Sequence, residues 1–100
     1  MAKIIVLYER PENLEQFENH YFNVHIPLVK KIPQLKDASV NKAVQTQNTD
    51  LDINLVAQLE FESMEDLSSA LSSESGKAVL VDVEVLAKFL PCPPIVMIVD

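Results

Sequence analysis

The chain alternates between stretches with the two-residue period of strands and stretches with the helical period of about 3.6 residues. The run from Lys3 to Tyr8 is β-branched and aliphatic on both faces, which predicts a strand that is covered on both sides. Another strand is predicted where four apolar positions alternate with mostly polar ones: Leu55, Ala57, Leu59 and Phe61. Between these two segments the apolar spacing becomes helical.

The first predicted helix begins after Pro11 and carries one apolar stripe. At about 100° per residue, five side chains fall on that stripe: Leu14, Phe17, Tyr21, Val24 and Leu28. His25 lies within the stripe, whereas His20 falls at its flank. Pro27 is expected to end or bend the helix before a last short turn.

Two further strands complete the predicted sheet. One is expected from about Lys36 to Gln47, where small and apolar residues occupy alternate positions. The polar stretch 48–52 then forms a hairpin loop that leads into the strand containing Leu55. The last strand is expected at 95–99, after a proline-rich stretch that ends the preceding helix.

Two more helical stretches lie between the third and fourth strands. Ser63 followed by Asp66 resembles a capping box, which starts a helix that the serines from Ser72 onward interrupt. A longer helix is expected from about 75 to 89. The element order is therefore β-α-β-β-α-β, which predicts a single α+β domain over residues 1–100. Its fold is a ferredoxin-like plait with an antiparallel four-stranded sheet.

Both faces of this predicted sheet need a cover. The helices of a plait protect only one face, yet the strands at 4–8 and 95–99 are apolar throughout. The chain is also 48% hydrophobic, which is high for 100 residues. We therefore expect a homodimer that forms through the sheet face.

Charge and cysteine content exclude several classes of protein. A net charge of −7 argues against a nucleic-acid partner, because phosphate binding needs a basic face. Cys92 is alone, so no intramolecular disulfide forms. The apolar run after Lys3 is too short for a signal sequence or a membrane span. These features predict a cytoplasmic protein without a membrane partner.

Nicotinamide or flavin binding through a glycine-rich loop is not expected from the sequence. The single glycine, Gly76, cannot form a phosphate cradle or a dinucleotide fingerprint. His20 and His25 are five residues apart, which would place them on different faces of a regular helix, so a metal site is not expected either. Cys92 has no basic neighbour that would activate it as a nucleophile.

His25 is the leading candidate for acid–base chemistry, because an imidazole titrates near neutral pH. Tyr21 lies one turn earlier and could orient it or donate to a substrate oxygen. Asp82 is surrounded in sequence by valine and leucine, and a buried carboxylate needs a donor. Either Asp82 contacts His25, or Asp82 caps backbone or pairs with a lysine while His25 bonds a carbonyl near Pro27.

An aromatic pair, a His-x-Pro-Leu motif and a proline-containing turn follow one another in one segment: Tyr21-Phe22, His25-Ile26-Pro27-Leu28 and Lys31-Ile32-Pro33-Gln34-Leu35. This segment resembles the EthD family of the dimeric α+β barrel group. The first strand and the stretch from Gly76 to Phe89 also look like the family's. Gln34 stands where the family usually has glycine, and Asn41 where an aromatic residue is often found.

The resemblance implies a small dimeric protein without an obligate cofactor, whose helices and sheet enclose an apolar pocket. Relatives include lyases, isomerases, cyclases and oxygenases that act on aromatic or lactone-like molecules, and many carry an oxidoreductase label. The residues that we expect to contact the substrate are Tyr8, Phe17, Leu28 and Phe61.

Our first functional hypothesis is a cofactor-independent enzyme of small-molecule catabolism, an oxidoreductase or a lyase or isomerase. It would act on a small apolar or aromatic compound by proton transfer at His25, assisted by Tyr21 and Asp82. Two alternatives remain at this point: a non-catalytic ligand-binding or structural homodimer, and an assembly unit that has no pocket.

Overall fold

The sheet is centred on β1 (Ala2–Glu9) and β3 (Ile53–Phe61), which pair along their whole length in a computed structural model of residues 1–100. The outer strands are β2 (Asp37–Lys42), beside β3, and β4 (Ile95–Val99), beside β1. The order is β2-β3-β1-β4 and every pair is antiparallel. This topology confirms the predicted ferredoxin-like α+β fold.

The helical elements differ from the prediction mainly in how they are divided. The first stretch consists of α1 (Leu14–His20), a π-helical segment (Tyr21–His25) and the short α2 (Ile26–Val29). The second consists of α3 and α4, which span Met64–Ser72 and Glu74–Ala87. None of these helices combines the length and the apolar character that a membrane span requires.

The alternation predicted for β3 is confirmed by its burial. Its four alternating apolar side chains are buried beneath the helices, as are Ala2, Ile4 and Tyr8 of β1. Phe17, Phe61 and Leu86 are fully buried among them. The core therefore forms between the helices and one face of the sheet, as one-sided apolar strands require.

Strand β2 is shorter than predicted. It ends at Lys42, opposite Leu55, and only one further backbone bond follows, from Ala43 N–H to the Asn54 carbonyl. Val44 is 98% exposed, because the chain beyond this point has no strand partner. The apolar alternation in this stretch was therefore a poor guide to where pairing ends.

The stripe predicted for the first helix is correct at Phe17 and Tyr21 but wrong at Val24, which is exposed. The cause is the π-helical segment, in which the Ile26 N–H bonds the Tyr21 carbonyl five residues earlier. One additional residue enters the turn and rotates the following side chains. The wide turn lies directly before Pro27, whose ring would clash with the carbonyl of Asn23 in a regular helix.

Gln34 has a backbone φ of 66°, which lies in the left-handed region that glycine adopts most readily. Gln34 thus adopts the backbone conformation of the turn from α2 to β2, although it stands where the EthD family usually has glycine. The Gln34 side-chain amide donates to an Asp66 carboxylate oxygen at 3.1 Å, which helps to hold the turn against α3.

The junction between α3 and α4 contains the only glycine of the chain. Ser73 closes α3 and caps α4, where its hydroxyl oxygen accepts from the Gly76 N–H at 3.1 Å. A methyl group at Gly76 would lie 2.8 Å from the Leu71 carbonyl oxygen and closer still to that of Ala70. Glycine is therefore required here by the close approach of the two helices.

We expect Gly76→Ala to lower the free energy of unfolding by about 1–3 kcal/mol, because the added methyl group overpacks a backbone contact. Helix propensity alone would predict a gain of about 1 kcal/mol for the same change. Chemical denaturation measures the difference. Lys77→Ala, at the exposed neighbouring position, serves as the control and should change stability little. A stabilised Gly76→Ala protein would contradict the close approach.

Candidate functional site

A cavity of about 120 Å³ lies between the helices and the sheet. Of the 20 residues that line it, 17 are hydrophobic, and none is a lysine, arginine, aspartate or glutamate. Its polar groups come from Tyr8 on β1, Tyr21 and His25 on the π-helical segment, and Ser39 on β2. The cavity is thus apolar, with its few polar groups contributed mainly by two tyrosines and one histidine.

The carboxylate of Asp82 holds two histidines from the opposite helix. Its Oδ2 lies 2.8 Å from Nδ1 of His25, and its Oδ1 lies 2.8 Å from Nε2 of His20. Asp82 and His25 are buried, whereas His20 is partly exposed. Of the two arrangements that the sequence left open for Asp82, the structure shows the contact with His25.

The π-helical segment explains why His20 and His25 reach the same carboxylate. In a regular α-helix, residues five apart point in directions that differ by roughly 140°. The segment that begins directly after His20 contains the additional residue of an i→i+5 turn, which brings the two imidazoles to one side. The expectation that His20 and His25 lie on different faces was therefore wrong.

Asp82 determines which nitrogen of His25 carries the proton. A carboxylate only accepts, so Nδ1–H donates to it and Nε2 keeps its lone pair. Nε2 has no hydrogen-bond partner in the protein, and it is not completely shielded from water. Burial lowers the pKa of His25 more than the Asp82 bond and charge raise it, so the imidazole is neutral at pH 7.

The two tyrosines that line the cavity stay protonated in the neutral range. Burial raises the pKa of Tyr21 to about 12, although a hydrogen bond from Tyr8 opposes this effect. Burial and the neighbouring Tyr21 raise the pKa of Tyr8 still further. The Tyr21 ring stacks on His25 with centroids 5.4 Å apart, and Tyr8 meets Tyr21 edge-on at 5.2 Å.

The structure brings together some of the predicted site residues and separates others. Tyr8, Tyr21 and His25 line the cavity, and Asp82 supports His25 from behind. The remaining three predicted substrate contacts are not among the lining residues: Phe17, Leu28 and Phe61. Phe17 and Phe61 are fully buried core residues, and Leu28 packs against the core, because an apolar stripe marks burial and not access to a cavity.

His20 is the member of the site that the sequence analysis missed. The available signal was a pair of histidines five residues apart just before a proline, the place where a helix can widen by one residue. A regular helical period cannot detect this arrangement. Ser39 was not predicted either, because its position on β2 gave no indication of a cavity beside it.

The fold and the site define a ferredoxin-like α+β protein with an apolar cavity and a carboxylate-held histidine. Residues 9–89 match the model of the EthD domain. The chain is 30% identical over 83 residues to the 11.0 kDa protein in the thcB-thcC intergenic region of Rhodococcus erythropolis, with 83% of this chain and 81% of that protein covered. The chain belongs to the EthD family.

Solved structures agree with this assignment. An ethyl tert-butyl ether D (EthD) family protein from Bacillus halodurans C-125 superposes with a TM-score of 0.87 at 35% identity, covering 100% of this chain and 97% of that one. A dimeric protein of ferredoxin-like fold from Bacteroides fragilis superposes with a TM-score of 0.66 at 18% identity, covering 99% of this chain and 94% of that one. The second likeness shows the fold alone.

The lowered pKa of His25 predicts how stability depends on pH. His25 binds a proton more readily in the unfolded chain than in the folded one. Its contribution to the free energy of unfolding is therefore complete above about pH 6.5 and is lost as the pH falls through the folded pKa. One group contributes a slope of at most about 1.4 kcal/mol per pH unit. Denaturation between pH 5 and 7 measures it.

His25→Asn is the matched variant for this measurement, since its amide can donate to Asp82 without titrating. We expect the variant to lose less stability on acidification than the wild type does. Equal pH slopes for the two proteins would contradict the neutral buried state of His25.

Proposed function

We propose that this protein binds a small, uncharged apolar or aromatic molecule in the cavity and transfers a proton between that molecule and Nε2 of His25. It would act as an enzyme without a cofactor. The observation that carries the proposal is the arrangement of His25, whose Nδ1 is held by Asp82 while Nε2 is unpartnered in an otherwise apolar cavity. A base held in this way is suited to general acid–base catalysis.

The proton path follows from the bonding of the imidazole. His25 is neutral and accepts a proton at Nε2, and the carboxylate of Asp82 stabilises the imidazolium that results. The protonated hydroxyl group of Tyr21, which accepts a hydrogen bond from Tyr8, supplies a donor for an oxygen of the substrate that gains negative charge. The imidazolium of His25 then returns the proton from Nε2 to the substrate when His25 acts as an acid.

The lining of the cavity supports an uncharged ligand. No lysine or arginine lines it to neutralise a carboxylate or phosphate, and burying an unpaired charge is costly. A cavity of about 120 Å³ is comparable with the roughly 150 Å³ cavity that accommodates benzene. The enclosed part of the ligand is therefore of the size of a single ring or a short branched chain.

The uncovered face of the sheet supports a homodimer. Side chains that alternate with the core residues of β1 point to this face, and the partially exposed Ile5, Leu7, Val56 and Met97 form an apolar patch on it. An apolar sheet face of this kind is typical of an interface between two sheets. A non-catalytic ligand-binding dimer is the alternative function that this patch and the cavity also support.

Ligand binding is tested with phenol and benzoate as an uncharged and a charged ring of similar size. We expect phenol to raise the melting temperature and benzoate to leave it unchanged, because only benzoate carries a charge into the cavity. His25→Ala should weaken phenol binding about 5- to 10-fold through the loss of one hydrogen bond. Val44→Ala, in the exposed loop, is the control. Unchanged binding of phenol by His25→Ala would remove His25 from the site.

Catalysis is tested by proton exchange in a small uncharged ketone dissolved in D₂O. We expect the wild type to accelerate loss of the proton signal next to the carbonyl, as followed by NMR. His25→Ala should slow this exchange about 10²- to 10⁴-fold, the usual contribution of a general base. Binding without any acceleration by the wild type would favour the non-catalytic alternative.

The homodimer is tested by sedimentation of Leu7→Glu, which places a charge in the apolar patch. We expect a dimer for the wild type and a monomer for the variant, because an unpaired charge in an apolar interface is costly. Val44→Glu adds the same charge outside the patch and should remain dimeric. A wild type that sediments as a monomer would contradict this part of the proposal.

A further inference from the structure

The carboxylate of Asp82 is shared between two histidines that have different access to solvent. His25 faces the cavity, whereas His20 is partly exposed and lies beside Phe89, with ring centroids 6.2 Å apart. Each imidazole takes one oxygen of the same carboxylate at 2.8 Å. A proton-transfer mechanism that uses His25 and Asp82 alone leaves this second bond without a role.

We propose that His20 is a positioning residue, which fixes the Asp82 carboxylate so that its other oxygen holds the Nδ1–H form of His25. This inference rests on the proposed function of His25, since the tautomer matters only if Nε2 is used as a base. His20 itself does not line the cavity and would not touch the substrate.

The geometry of the carboxylate gives the physical reason. A carboxylate that is held by only one hydrogen bond can rotate about its Cβ–Cγ bond, because the preferred values of the aspartate χ2 angle are broad and roughly two-fold. The second bond, to His20, fixes this rotation and satisfies the oxygen that would otherwise be left without a partner. Asp82 then presents Oδ2 to Nδ1 of His25 in one orientation.

The π-helical segment is the structural element that makes this arrangement available. A regular helix would direct His20 away from Asp82. Only Oδ2 of the carboxylate would then be held, by the hydrogen bond from His25 itself. The widened turn at Tyr21–His25 directs both imidazoles to the carboxylate of Asp82 on α4. Segments of this kind are frequent at functional sites, which agrees with a role for the second histidine.

The test compares His20→Phe with His20→Gln by ¹⁵N NMR of the histidine side chain, without any ligand. Phenylalanine keeps the aromatic ring beside Phe89 but cannot donate to Asp82. Glutamine has an amide nitrogen about as far from the backbone as Nε2 and can donate without titrating. We expect the Nδ1–H form of His25 to dominate in the wild type and in His20→Gln. In His20→Phe, a mixture with the Nε2–H form should appear.

His20→Ala also removes the donor and adds no bulk at this partly exposed site, so it provides a second variant without the bond. An unchanged Nδ1–H form in both His20→Phe and His20→Ala would overturn the proposal. A mixture in His20→Gln equal to that in His20→Phe would also overturn it, because the donor would then not be what matters.

The outcome is separable from that of the proposed function. In the ketone exchange assay, His20→Phe should lower kcat with little change in KM, and His20→Gln should restore most of kcat. If the wild type shows no exchange at all, the proposed function fails while the tautomer measurement still decides the role of His20. If exchange occurs and is unaffected by His20→Phe, the positioning role fails alone.

Discussion

The carboxylate of Asp82 lies among apolar side chains of α4, and the structure around the cavity depends on how that buried charge is stabilised. An unpaired carboxylate in such surroundings would cost several kcal/mol. Two hydrogen bonds of 2.8 Å, from His25 and His20, compensate for this cost and connect α4 to the helical stretch on the other side. Hydrogen bonds to a charged group contribute about 1.5–3 kcal/mol each.

This requirement is met by an irregular helix. The π-helical segment directs His20 and His25 to the same side, and it ends where Pro27 makes a regular helix unfavourable. Tyr21 then stacks on His25, and Tyr8 contacts Tyr21 from the central strand. The histidine is thus held by one hydrogen bond and by aromatic packing, which leaves a single nitrogen free in the cavity.

The sheet has two faces with different surroundings. The face beneath the helices carries the core and the cavity, while the opposite face presents an apolar patch that no element of this chain covers. Because β1 contributes alternate residues to each face, Tyr8 belongs to the cavity and its neighbour Leu7 to the patch.

The sequence by itself determined the order of the strands and helices along the chain and the one-sided burial of β3, and it pointed to His25, Tyr21 and Asp82 as candidate site residues. These features follow from local periodicity and from the cost of placing polar groups among apolar ones. The tertiary structure decided which of the two arrangements of Asp82 occurs, that His20 joins it, and that Phe17, Leu28 and Phe61 lie away from the cavity wall. Periodicity could not decide them, because a regular period does not include the additional residue of a π-helical turn. Burial alone also does not distinguish a side chain in the core from one that lines a cavity.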